Sequence, residues 1–187
     1  MRHAASLLAV VALVACGSAT AGGTGQASPP AGPSPAQSVP VVPAHCVARG
    51  QLPDPSCTPG AVYTLVTQAN IHQTICVKGW TATIRPPVTY TEPLKRRLMT
   101  AYGIPKTASL RGYEMDHLIP LELGGDPTSV DNLWPEPGAS PNTKDTVESV
   151  GREAVCRKTN PLPLTTAQVA IAKDWVAFGK SLGVKVP

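Results

Sequence analysis

The chain has 187 residues, only 15% of them charged, while 16 Gly and 21 Pro make up about a fifth of it, so it is not one uniformly folded chain. Residues 17–44 hold no charged and no aromatic side chain, and all eight aromatics lie at Tyr63 or beyond. The part able to build a core is therefore 45–187, the size of one domain, which excludes two independently folding units. Setting Arg2 aside, 15 basic residues face 12 acidic ones, and so slight an excess does not by itself argue for nucleic acid.

Met1, Arg2 and His3 make a short basic start, and the apolar run from Ala4 to Ala15 is too short to cross a bilayer as a helix. Residues 1–15 read as an export signal. The run closes on Leu13, Val14, Ala15 and Cys16, which resembles the lipobox of bacterial lipoproteins. That resemblance implies lipidation of Cys16 and a membrane anchor on the outer face of the cell membrane; the alternative is an ordinary secretory signal and a secreted protein. Residues 16–44 read as a disordered, flexible tether, because they lack the apolar side chains that offset the entropy of ordering.

Cys46, Cys57, Cys76 and Cys156 remain, an even number in an exported domain, and read as two disulfides. Three pairings are open. The one favoured joins Cys46 to Cys57 and Cys76 to Cys156, clipping the N-terminal loops and stapling a late helix to the front of the domain. A zinc site of four thiolates competes, but no close C-x2-C pair is present; redox exchange is a third reading. Residues 45–61 form a disulfide-held loop region adding little core, and Tyr63–Val77 fits a short helix or extended chain equally. Trp80–Tyr90, rich in Thr, Ile and Val around Pro86 and Pro87, is expected as an edge strand or extended arm.

Thr91, Glu92 and Pro93 predict a helix start with Thr91 as N-cap; Leu94, Leu98 and Met99 mark its apolar face, and Gly103 stops it. An apolar segment from Met115 to Leu123 then ends in Gly124, Gly125, Asp126 and Pro127, which reads as strand and turn before a second short strand at Asn132–Trp134. A helix starting near Asn142 places Val147, Val150, Ala154 and Val155 on one face, with Asn142 and Asp145 paired as a cap. Thr165 with Gln168 reads as a capping box before a last core helix carrying Val169, Ala170, Ala172, Trp175, Val176 and Phe178.

The residues that bear chemistry are Asp116, His117, Ile119, Pro120, Gly124 and Gly125, then Asn132 and Leu133, then Asn142, Lys144 and Asp145. Over residues 112–148 this pattern resembles the HNH nuclease family. The resemblance implies an α+β fold centred on a ββα-metal motif flanked by helices, stabilised here by disulfides. It further implies His117 as general base, Asn132 fixing the loop and orienting His117, and Asp116 with Asn142 holding one divalent ion, Mg2+ or Mn2+. Asp145 and Glu148 are further oxygen donors on the same helix. Lys144, with Lys95, Arg96 and Arg97 on the preceding basic helix, is expected at phosphate.

The residue types suit that chemistry. Phosphodiester hydrolysis needs a base for water and a cation for the charge on phosphorus, and an imidazole of pKa about 6.5 is a competent base at neutral pH. A strand sends Asp116 and His117 to opposite faces, so both can address one phosphate only where the strand bends or ends. As a ligand carboxylate, Asp116 is expected to matter for cleavage and little for stability. Lys78–Arg111 holds seven basic residues and one acid, and Glu114–Glu148 eight acids and one base, matching a basic phosphate surface beside a carboxylate-rich pocket. The function expected is metal-dependent hydrolysis of DNA, RNA being the other candidate, with little sequence preference. The alternative is a non-catalytic surface lipoprotein that binds DNA or an anionic envelope polymer on the same scaffold. No obligate protein partner is inferred.

Overall fold

The computed structural model describes residues 40–187, so the expected export signal, the lipidation of Cys16 and the tether as far as residue 39 lie outside the described residues. In chain order the elements are α1 (Trp80–Ile84), α2 (Val88–Ala101), β1 (Tyr113–His117), β2 (Leu133–Pro137), α3 (Thr143–Cys156), α4 (Leu164–Lys173) and α5 (Trp175–Ser181), with single 3-10 turns between some of them. The fold class is α+β. β1 and β2 pair antiparallel, with Glu114 opposite Glu136, Asp116 opposite Trp134 and His117 opposite Leu133.

Several elements differ from expectation for local reasons. Trp80–Tyr90 is not an extended arm. The two prolines only separate two helices: Arg85, before Pro86, is extended as pre-proline sterics demand, and Pro87 caps α2, which begins at Val88 and not after Thr91. Pro93 consequently lies inside α2. Thr165 and Gln168 form no capping box: α4 starts after Pro163 without a side-chain cap, and the Gln168 amide is buried, donating to the Leu123 carbonyl at 2.9 Å. The last helix is two, because Asp174 leaves helical geometry and caps α5 by accepting from Ala177 N at 2.9 Å. The tether does not run to residue 44 either. Val42 packs against the cluster of Cys46, Cys57 and Ala101 and against that of Leu94, Leu98 and Leu133, and Arg97 donates to the Pro40 carbonyl at 2.9 Å.

Two apolar clusters flank the strand pair. Leu94 and Leu98 of α2 pack with Leu133 of β2, while Val147 and Val155 of α3, Ile171 of α4, and Trp175 and Phe178 of α5 close a larger core with Ile75, Ile119 and Leu123. Disulfides join Cys46 to Cys57 and Cys76 to Cys156, the pairing favoured from sequence, and they fit an oxidising, extracytoplasmic compartment. Among the described residues no helix is long and apolar enough to cross a membrane.

Candidate active site

Strand alternation alone would separate Asp116 from His117. β1 ends at His117, however, and the chain turns at once into Leu118–Pro120; Asp116 and His117 both line one cavity of about 130 Å³, together with Arg85, Glu122, Asp145 and Glu148. The turn is held by Asn132, which is fully buried. Its Oδ1 accepts from Ile119 N at 2.9 Å, and its Nδ2 donates to the Ile119 and Asp126 carbonyls at 2.9 and 3.0 Å. Gly125 passes so close beneath that a Cβ would lie 1.7 Å from the Ile119 carbonyl oxygen and 2.7 Å from Asn132 Nδ2, which only glycine permits.

This loop aims the imidazole. Asp126 Oδ1 accepts from Thr128 N and Ser129 N, each at 2.8 Å, a side-chain turn that presents the Pro127 carbonyl to His117 Nε2 at 3.0 Å. A carbonyl can only accept, so Nε2 carries the proton and Nδ1 keeps its lone pair. Among the described residues Nδ1 has no hydrogen-bond partner. Burial lowers the imidazole pKa, against the Pro127 bond and the Asp116 charge, so the ring is neutral and basic at Nδ1 at pH 7. Asn132 does not touch the ring but holds the loop that does.

A cluster of charge lies beside His117. Asp116 and Glu114 share one face of β1, as Trp134 and Glu136 share one of β2. Trp134 Nε1 donates to Asp116 Oδ2 at 3.1 Å. Lys144, on the first turn of α3, is 1% exposed and not at any phosphate surface. Its Nζ lies 3.1 and 2.9 Å from Asp116 Oδ1 and Oδ2, 2.5 Å from Glu148 Oε1 and 2.9 Å from the His117 carbonyl. Burial disfavours its charge, but Asp116, Glu148 and Glu136 outweigh burial and hold its pKa above the ordinary range.

Asn142 is the N-cap of α3, its Oδ1 accepting from Lys144 N at 2.7 Å while Asp145 accepts from Asn142 N at 2.6 Å. Its Nδ2 is turned to Glu114 and Glu136 at 3.2 and 3.4 Å. The divalent ion implied for Asp116 and Asn142 therefore does not fit these side chains as they stand: the Asn142 oxygen serves the helix cap, and both Asp116 oxygens face an ammonium. Among the described residues no three His, Cys, Asp or Glu side chains are grouped to hold a metal ion.

No family model matches the chain, and no curated protein or solved structure matches it. The basic trio of α2 is largely engaged elsewhere: Lys95 donates to the Leu110 and Tyr113 carbonyls at 2.7 and 2.6 Å, Arg96 pairs with Glu92 at 2.8 Å, and Arg97 holds Pro40. Arg85, exposed, is the cation that lines the cavity. The sequence reading did not single out Arg85, Glu114 or Glu136, although a two-residue period was the signal for both glutamates.

Burial, reinforced by the Asp116 charge, pushes the Glu136 carboxyl up to about 8 from 4.5. The unfolded chain then releases this proton before the folded one, so the contribution of Glu136 to stability is fullest below pH 4.5 and falls as pH rises to about 8. Glu136→Gln is expected to be more stable than wild type above about pH 8, the difference closing below about pH 4.5. Urea unfolding at both ends of that window checks this, and a difference independent of pH would refute it.

Proposed function

We propose that the protein is an exported endonuclease of the HNH type, lipid-anchored through Cys16, that hydrolyses phosphodiester bonds of DNA, with RNA as the other candidate substrate, and with little sequence preference. One observation carries the reading. His117 and Asp116 line the same cavity, with the imidazole fixed through Nε2 on the Pro127 carbonyl and Nδ1 without a partner. In that geometry Nδ1 takes a proton from a water in the cavity, the hydroxide attacks phosphorus, the P–O bond to one sugar oxygen breaks, and the departing alkoxide takes up a proton from solvent while the imidazolium returns its own to solvent. Arg85, the one cationic side chain among the cavity's lining residues, pairs with the phosphate oxygens, as guanidinium geometry suits. Mg2+ or Mn2+ belongs to the family resemblance, but the side chains as they stand do not fit such an ion.

Nicking of supercoiled plasmid across Mg2+, Mn2+ and EDTA tests the proposal. His117→Ala is expected to lower cleavage by at least about a hundredfold and, because the imidazole is buried and bonded to the Pro127 carbonyl, also to lower the unfolding temperature, so cleavage is compared at a temperature where circular dichroism shows both proteins folded. If wild type and His117→Ala are equally inert, and both bind DNA in a salt-sensitive way, the chain is a binding protein on this scaffold.

A further inference from the structure

The Lys144 ammonium has three protons to give, and its acceptors are Asp116, Glu148 Oε1 and the His117 carbonyl, at 2.5–3.1 Å. Every donor is used. The oxygens form a shell such as a hard cation takes, and the centre of the shell is already filled. A divalent ion bound by Asp116 and Glu148 needs oxygens at about 2.0–2.6 Å. It would have to sit beside a positive charge that cannot leave without stripping two buried carboxylates of their partner.

Nor can the lysine swing aside cheaply. Its backbone is fixed by the Asn142–Asp145 capping box, and the far end of α3 is clasped by Cys76–Cys156. The ammonium is also tethered, so it competes at an effective concentration in the millimolar range or above, which no free cation at trace level matches.

We infer that Lys144 is the resident cation of this pocket: it occupies the place between Asp116 and Glu148 that a divalent ion would need, and the folded protein binds no Mg2+ or Mn2+ there. Removing the side chain leaves Asp116 and Glu148 with Glu136 nearby and no counter-charge, an oxygen-rich space that a hard divalent ion fills. The inference concerns the pocket and stands whether or not the protein cleaves nucleic acid.

The test uses the oxidised chain with both disulfides and reads Mn2+ binding by electron paramagnetic resonance alongside thermal unfolding. Wild type is expected to bind no Mn2+ tighter than about 1 mM and to unfold at the same temperature in Mn2+ and in EDTA. Lys144→Ala is expected to bind Mn2+ and to unfold about 5 °C higher in Mn2+ than in EDTA. Submillimolar Mn2+ on wild type that Asp116→Asn abolishes overturns the inference, as does a folded Lys144→Ala indifferent to Mn2+. Should Lys144→Ala fail to refold in either medium, the wild-type titration decides alone: binding dependent on Asp116 overturns the inference, and no binding supports it. Because no arm measures cleavage, failure here leaves the nuclease proposal to its own experiment.

Discussion

Asp116→Ala lowers the unfolding free energy by about 3–5 kcal/mol, the range found when one partner of a buried ion pair is removed. From sequence the residue read as a ligand whose loss would cost little stability; its surroundings reverse that. Asp116 is 8% exposed and holds Trp134 Nε1 at 3.1 Å and the buried Lys144 ammonium at 2.9 Å. Truncation orphans the indole donor and leaves the ammonium with Glu148 alone among its close carboxylates. Asp116→Asn, which can still accept from Trp134, is expected to fall between alanine and wild type. Denaturant unfolding checks the series, and a change under about 1 kcal/mol for Asp116→Ala would show the pair to be less buried than described. Adding Lys144→Met to Asp116→Ala is expected to restore part of the loss, since an apolar chain tolerates the site that an unpaired charge does not.

Removing the Cys76–Cys156 bridge as a double alanine variant is expected to cost about 4–5 kcal/mol, against about 3 kcal/mol for Cys46–Cys57. The difference follows from the length of chain each closes, 80 residues against 11, because the longer loop removes more conformations from the unfolded state. The longer bridge also links the loop after Ile75 to the last residue of α3. Guanidinium titration of the two variants orders them, and equal losses would refute the loop-length argument.

What could be seen beforehand followed local chemistry. The Asn142–Asp145 cap and the apolar face of Leu94, Leu98 and Met99 depend on spacings of a few residues and are present; two strands do flank Gly124 and Gly125, but as Tyr113–His117 and Leu133–Pro137, with Leu121–Leu123 and Val130–Asn132 in 3-10 turns between them. Trp80–Tyr90 misled because β-branched residues around two prolines describe an extended arm as well as the end of one helix and the start of another. The burial of Lys144 was not legible at all. A lysine three residues after a proline reads as a solvent-facing phosphate contact, and only the packing of α3 against the end of β1 shows that its ammonium meets Asp116 and Glu148. Arg85 was hidden for a related reason: its approach to His117 depends on where α1 ends, which the sequence reading placed in an arm.

The longer disulfide carries a further consequence. It ends on the helix that presents Lys144 and Glu148 to the pocket, so a newly made chain, still with free thiols, lacks the clasp that stabilises that helix. On the proposed reading, the pocket is held least firmly in the reducing compartment of synthesis and most firmly once the thiols are oxidised after export.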